Sequence, residues 1–246
     1  VGIDPADHWA TMSGLAAHAD AGPWESIWVY DHFHTTPEPS EEATHEAWSL
    51  MAGLAASTDR VRLGQMCTCM SYREPTYLAK VAATVDAISG GRVEMGIGAG
   101  WYEHEWRAYG YGFPETKERM AMFREAVEII HKMWTEDKPT FSGKRYTIDG
   151  PINEPKNAGM KKVPLWIGGG GEQVTLRLVA QYGTPLYVYD ETGKRFDAVT
   201  DDGLEHFKSF YPGEKISKED IFYYVYGDLY RELELPARLT KLRQGH

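Results

Sequence analysis

The sequence predicts an α/β protein of the (β/α)₈, or TIM-barrel, class, and three observations lead to this prediction. Short apolar runs alternate with longer amphipathic segments, a pattern typical of parallel strands joined by right-handed helical crossovers. Polar or glycine-rich residues follow the predicted strands, as they do at the face that carries the active sites of barrel enzymes. With 246 residues and a hydrophobic share of 42%, the chain can form one barrel or one to two ordinary domains.

The predicted elements follow from apolar spacing and from turn-forming residues. Asp4 and Pro5 are a favourable start for the first helix. Helices are predicted at residues 4–20, 41–57, 75–88, 115–134 and 172–181, and strands at 26–30, 61–69, 93–97 and 165–167. Residues 100–109 are predicted to be an aromatic-rich loop, residues 141–148 a small hairpin about Ser142 and Gly143, and residues 150–159 a loop.

After Gly183 the alternation of strands and helices stops. Residues 186–189 can form one strand, residues 190–194 a turn, and residues 201–210 and 218–233 two helices. This gives four of the eight strands of a barrel and a doubtful fifth. We therefore expect an incomplete barrel over residues 1–183 and a mainly helical tail over residues 184–246.

Composition and charge indicate which class of molecule the protein binds. Lys and Arg number 26 against 36 Asp and Glu, and the net charge of −10 argues against a nucleic-acid or anionic-membrane surface. No apolar run reaches the roughly 18 residues of a membrane span, and no signal peptide is recognisable. We expect a cytoplasmic protein with a small-molecule substrate.

The two cysteines, Cys67 and Cys69, fall in a predicted strand, whose period of two would place both on one face. Two ligands do not make a zinc site, and a disulfide across one intervening residue would be strained. No metal site is therefore predicted. The thiols are interpreted as small core residues at a strand end, an interpretation that is compatible with lining an active site.

Four glycines, Gly168 to Gly171, end one predicted strand, and Glu172 and Gln173 open the helix after it. Glycine lets a ligand approach the backbone closely, and the first N–H groups of a helix favour an anion, so this segment predicts a phosphate cradle. The alternative is a flexible turn without a ligand. A second strand end, with Gly98 and Gly100, favours the cradle.

Five stretches together resemble the luciferase-like monooxygenase superfamily, and in particular its oxidoreductases that depend on the deazaflavin coenzyme F420. They are residues 27–34, 62–73, 77–86, 88–101 and 164–171, in the order that the family requires. The resemblance covers roughly residues 6–183. It implies a TIM barrel in which F420, or alternatively FMN, lies across the strand ends with its phosphate at the Gly168–Gly171 cradle.

The resemblance also implies the site residues. Asp31, His32 and His34 would lie beside the cofactor ring as catalytic residues, and His34 is the preferred acid–base group, although it could instead satisfy only loop hydrogen bonds. Acids occur at Glu103 and Glu105, slightly later than in some relatives. The aromatic loop could equally be a lid or a core cluster. The implied cofactor-binding residues are Cys67, Thr68, Cys69, Gly98, Gly100, Trp101, Tyr102, Gly168, Gly169, Gly170, Gly171, Glu172 and Gln173.

The leading hypothesis is an oxidoreductase that moves a hydride between a reduced deazaflavin or flavin and an organic substrate. Because the first strand and last units of the barrel are expected to be missing or replaced, a catalytically inactive binding module is the alternative. Residues 184–246 resemble a segment of large helicase–methyltransferase restriction enzymes, which gives a third hypothesis: a helical interaction segment tied to DNA modification. The resemblance to the superfamily implies a homodimer, whose interface the altered C-terminal part could remove.

Overall fold

The structure is a computed structural model that describes residues 4–156, 163–169, 174–183, 187–189 and 195–197, together with Glu205 and Lys208. The chain divides into two compact units, Val1–Gly169 and Gly170–His246. Of the described ranges, those in the first unit hold the parallel sheet. The boundary predicted at residue 183 stays a prediction.

The helices of the first unit pack against the sheet and against one another. They are α1 (His8–Ala21), which follows a 3₁₀ turn at Pro5–Asp7, α2 (Ala47–Ser57), α3 (Pro75–Ser89), α4 (Glu103–Ala108) and α5 (Thr116–Thr135). Helix α2 packs between α1 and α3, and α3 packs on α5. Pro75 opens α3 and Gly90, with φ +69°, ends it in the left-handed conformation, the usual signals of a helix start and end.

The parallel sheet contains five strands. Two of them follow each other along the chain on the same side of a third strand, so the sheet is four strands wide. The five strands are β1 (Ser26–Val29), β2 (Arg62–Gln65), β3 (Thr68–Cys69) and β4 (Val93–Gly98), with β7 (Leu165–Gly168) on the far side of β4. Strands β2 and β3 follow each other along the chain and both pair with β4. The core lies between this sheet and the helices, where the fully buried side chains include Leu63, Leu78, Val93, Met95, Ile97 and Phe123. All four predicted strands, and the α/β class with a parallel sheet, are confirmed.

The predicted strand 61–69 is wrong in one respect, because it is interrupted at residues 66 and 67. Gly64 pairs with Glu94 and Thr68 with Ile97, so four steps along this segment match three along β4. The extra residue makes a bulge, a feature that often lies beside active sites. Met66 is 62% exposed there, and the two cysteines do not share a single strand as predicted, because Cys67 lies in the interruption and Cys69 in β3.

The boundaries of three other elements differ from the predicted ones, each for a reason local to its segment. Helix α2 begins at Ala47 instead of residue 41, because the Glu46 carboxylate accepts hydrogen bonds from the N–H groups of Trp48 and Ser49. The predicted loop 100–109 contains α4, which buries Glu105 and Trp106. The predicted hairpin is confirmed as β5 (Thr140–Ser142) and β6 (Thr147–Asp149), with its turn at residues 143–146 rather than at Ser142 and Gly143.

The second unit contains α6 (Thr175–Tyr182), close to its prediction, and the strands β8 (Tyr187–Tyr189) and β9 (Arg195–Asp197). Strand β8 is the doubtful fifth strand, and it pairs antiparallel with β9. The helices predicted at 201–210 and 218–233 lie outside the described residues, except for Glu205 and Lys208. In the described ranges, no helix is both long and apolar enough to cross a membrane.

Gly96 lies where the backbones of β4 and β2 approach each other closely. A Cβ atom at this position would lie 2.0 Å from the backbone oxygen of Gln65, which cannot move without shifting β2. Gly14, on the exposed side of α1, is the opposite case, since a Cβ there would meet nothing within 4 Å. Glycine is therefore required at position 96 but not at position 14.

We predict that Gly96→Ala lowers the free energy of unfolding by about 3 kcal/mol, as overpacking against backbone does. Gly14→Ala is the matched control and should raise it by about 0.5–1 kcal/mol, because alanine is the better helix former. Urea denaturation followed by circular dichroism measures both. Equal effects of the two substitutions would contradict the packing of β2 against β4.

Asp20, at the end of α1, holds the segment before β2. Its carboxylate accepts hydrogen bonds from the backbone N–H groups of Asp59, Arg60 and Val61 at 2.8–2.9 Å. These bonds, with that from Asp59 the largest contribution, lower the pKa of Asp20 from 3.8 to about 2. A lowered pKa in the folded state stabilises the fold above pH 4, and this contribution is lost as the pH falls towards 2.

We therefore predict that Asp20→Asn destabilises the protein by roughly 1 kcal/mol at pH 7, with a difference from wild type that shrinks between pH 4 and pH 2. Thermal unfolding across this pH range measures the difference. Glu41→Gln, at an exposed position, is the control and should show little difference at any pH. A deficit of Asp20→Asn that stayed constant down to pH 2 would contradict the role of the carboxylate.

Candidate active site

The carboxyl ends of β1, β3 and β4 bring the predicted site residues together. Asp31 follows β1, and its Oδ2 accepts a hydrogen bond of 2.9 Å from the backbone N–H of Cys69 in β3. His32 lies next to Asp31, and its ring centroid is 5.7 Å from that of Trp101, which follows β4. The parallel sheet therefore places the three predicted segments at one edge, as expected.

Glu105, on α4, is the centre of this edge, and its side chain is fully buried. Oε1 accepts from the backbone N–H groups of Phe33 and of His34, the latter at 2.7 Å. Oε2 lies 3.0 Å from Nδ1 of His32 and accepts a hydrogen bond from the Tyr72 hydroxyl. One carboxylate thus ties the segment after β1 to the segment after β3.

Sequence reasoning noted Glu105 but gave it no role, and it overlooked Tyr72. Position 105 falls in the predicted loop 100–109, where a carboxylate is normally solvated. The available signal is an acid in the middle of a short segment dense in aromatic residues, because such residues exclude water. Burial raises the pKa of Tyr72, and the neighbouring Cys69 and Glu105 raise it further, so the hydroxyl keeps its proton and donates.

A second buried carboxylate, Asp31, is 2% exposed and pairs with Arg73. Arg73 Nη1 and Nη2 donate to its two oxygens at 2.8 and 2.9 Å, and Nη2 also donates to Glu46, the cap of α2. Burial disfavours the charge on Arg73, but the hydrogen bonds with Asp31 and Glu46 outweigh it and raise the pKa of Arg73. Both oxygens of Asp31 are engaged, so we interpret it as a positioning residue and not as a catalytic one.

The residues of the β2–β3 segment have different environments. Thr68 is buried and its hydroxyl donates to Oε1 of Gln65 at 2.9 Å, so it supports the sheet. Burial raises the pKa of the Cys69 thiol to about 11 and also raises the pKa of Cys67, which is half-buried. Both cysteines are therefore neutral thiols near pH 7, unsuited to nucleophilic attack.

Side chains pack closely on two of the glycines at this edge and leave the third more open. A Cβ at Gly100, where φ is +78°, would lie 2.7 Å from Sγ of Cys69, and a Cβ at Gly168 would lie 2.7 Å from Sγ of Cys67. At Gly98 the nearest atom to such a Cβ would be the oxygen of Gly168, at 3.6 Å. Gly169 has φ +136°. The predicted residues Gly170, Gly171, Glu172 and Gln173 lie outside the described residues.

Aromatic rings surround His32. Trp101 is 61% exposed and stacks on Tyr102, which is buried and donates its hydroxyl to the oxygen of Thr35 at 3.2 Å. The rings of Tyr30 and Tyr102 lie 5.4 and 5.7 Å from the ring of His32. Trp101 thus offers an exposed flat surface, whereas Tyr102 holds the segment after β4 in place.

His34, the preferred acid–base residue, is less well placed than His32. Its backbone N–H is bound to Glu105, and its ring packs near His104 and Tyr109, with centroids 5.3 and 5.5 Å away. Its Nδ1 is buried without a hydrogen-bond partner in the part of the chain that the structure describes. The structure fixes the ring of His32 by a hydrogen bond, so we favour His32 as the acid–base group.

The arrangement fits a planar cofactor. A Cβ at Gly98 would meet no atom closer than 3.6 Å, Trp101 provides a flat surface, and His32 provides a group that can take or give a proton. Across the described ranges, no group of three or more His, Cys, Asp or Glu side chains is arranged to hold a metal ion.

Known proteins resemble this chain in sequence and in fold. The profile of the luciferase-like monooxygenase family matches residues 2–211, which extends past Gly183. The F420-dependent glucose-6-phosphate dehydrogenase of Kineococcus radiotolerans is 34% identical over 169 residues, 67% of this chain and 48% of that protein. The corresponding enzyme of Amycolatopsis mediterranei is 34% identical over 163 residues, 65% of this chain and 47% of that protein.

Solved structures agree with this relationship. An F420-dependent secondary alcohol dehydrogenase, in complex with an F420–acetone adduct, superposes with a TM-score of 0.63 and 28% identity, over 73% of this chain and 53% of that chain. An FMN complex of the oxygenating component of 3,6-diketocamphane monooxygenase from Pseudomonas putida shares the fold, with a TM-score of 0.58 and 22% identity over 72% of this chain and 51% of that chain.

The chain spans about half the length of the curated relatives that it matches. Three observations nevertheless agree on the family. They are the parallel sheet, the match of the family profile over most of the chain, and the structural neighbours. The chain belongs to the luciferase-like monooxygenase family.

Proposed function

We propose that the chain acts as an oxidoreductase that transfers a hydride between coenzyme F420 and a small organic substrate at the carboxyl edge of the sheet. The observation that carries this proposal is the placement of His32, with its ring centroid 5.7 Å from that of the exposed Trp101, at the carboxyl ends of the parallel strands. Relatives and a structural neighbour whose names specify F420 support the choice of cofactor. FMN, present in a more distant neighbour, is the alternative.

In this proposal the chain's residues bind, orient and move a proton. Gly168 and Gly169 would lie beside the phosphate; the rest of the predicted cradle, Gly170 to Gln173, is outside the described residues. Trp101 would cover one face of the ring, and the bound deazaflavin would supply the hydride chemistry. His32 would take the proton of a substrate hydroxyl as the hydride leaves the adjoining carbon, and would return it in the reverse direction.

Three further expectations remain proposals. A homodimer is inferred from family resemblance. The alternative function is a binding module without catalysis, the hypothesis based on the barrel units that the sequence is expected to lack. The resemblance of residues 184–246 to helicase–methyltransferase enzymes gives the third hypothesis, which opposes the expectation of no nucleic-acid partner, and a salt-dependent DNA retention assay separates the two.

Cofactor binding is the primary test. We expect saturable binding of F420 in a fluorescence titration of the full chain, with a rise in melting temperature, and weaker binding of FMN. Gly168→Val should reduce the affinity about tenfold, because its Cβ would lie 2.7 Å from Sγ of Cys67 and force a shift at the strand end where the cofactor is proposed to bind. His18→Gln, on the exposed face of α1, is the control and should bind as wild type does. A folded wild-type chain that binds neither cofactor would overturn the proposal.

The role of His32 is tested by substitution. We predict that His32→Gln lowers kcat about 100-fold to 10,000-fold with little change in cofactor affinity, since general acid–base groups contribute on this scale. His34→Gln should lower kcat less. Secondary alcohols and sugar phosphates, with F420 reduction followed by absorbance, are suitable first substrates. A larger loss for His34→Gln than for His32→Gln would contradict the assignment.

A further inference from the structure

The Glu105 carboxylate lies among four hydrogen-bonding groups. An ionised carboxylate only accepts, and its two oxygens offer about four acceptor positions. Two of these positions face the backbone N–H groups of Phe33 and His34, which can only donate. The third faces the Tyr72 hydroxyl, whose raised pKa keeps it protonated. The fourth faces Nδ1 of His32 at 3.0 Å.

We infer that Glu105 is a positioning residue that fixes the neutral His32 ring in the tautomer protonated at Nδ1, which leaves Nε2 as the acid–base atom. A neutral imidazole carries a single N–H, and the carboxylate requires it at Nδ1. In the part of the chain that the structure describes, Nε2 has no hydrogen-bond partner, and the ring is flanked by Tyr30, Trp101 and Tyr102. The catalytic meaning of this arrangement rests on the proposed function, but the tautomer itself does not.

Because four hydrogen-bond donors surround the Glu105 carboxylate, the substitution Glu105→Gln should have a specific effect on the His32 ring. In Glu105→Gln the side chain keeps one accepting oxygen and gains an NH₂ group that only donates. The backbone N–H groups of Phe33 and His34 cannot reverse direction, so they hold the amide oxygen. The NH₂ group must then face Tyr72 and His32. Its N–H would be accepted by Nδ1 of His32, and the proton of the ring would move to Nε2.

The experiment is a long-range ¹H–¹⁵N correlation spectrum of the full chain labelled with ¹⁵N-histidine, at a pH where the imidazoles are neutral. The His32 signals are assigned by their disappearance in His32→Gln. We expect the Nδ1–H tautomer in wild type and the Nε2–H tautomer in Glu105→Gln. Tyr72→Phe is the matched control, because it removes another donor to Oε2 and should leave the Nδ1–H tautomer unchanged.

Two outcomes would overturn the inference. One is the Nε2–H tautomer in wild type, a result that does not depend on whether any variant at position 105 folds. The other is an unchanged Nδ1–H tautomer in a Glu105→Gln protein that folds. Neither measurement requires a bound cofactor, so a failure of the proposed function in the F420 titration remains distinguishable from a failure of this inference.

Discussion

The burial of the Glu105 carboxylate is the constraint on which the rest of the site depends. A carboxylate that is fully removed from water must be hydrogen-bonded, because the unpaired charge would cost several kcal/mol. Here the hydrogen bonds come from the backbone after β1 and from Tyr72 after β3. The charge can be stabilised only when these segments meet at α4, so the fold and the site geometry are linked through one side chain.

The ion pair of Asp31 with Arg73 is a second case of a buried carboxylate that is stabilised by hydrogen bonds from another segment. Asp31 holds the backbone of Cys69, and Arg73 joins Asp31 to Glu46, which caps α2. Asp31, one of the predicted catalytic residues, thus has both carboxylate oxygens bound to groups of the neighbouring segment. Across the described ranges, His32 combines a ring oriented by a hydrogen bond at Nδ1 with an Nε2 atom that has no hydrogen-bond partner.

Much of the fold could be predicted because it depends on local signals. The four parallel strands, the capped helix α3 and the long helix α5 follow from apolar period, proline and glycine. The bulge at Met66, by contrast, depends on a pairing of Thr68 with Ile97, which only the assembled sheet defines. The site could be predicted as a set of strand ends, but Glu105 could not, because its importance arises from donors more than 30 residues away along the chain.

Amide hydrogen exchange of Phe33 and His34 in wild type tests most directly the claim that the Glu105 carboxylate organises this edge. Both amides lie outside helices and strands, where unbonded amides normally exchange fast. The account predicts strong protection of both amides in wild type, comparable to the sheet, and its loss in Glu105→Ala. Exchange of either wild-type amide at the rate of an unprotected peptide would contradict it.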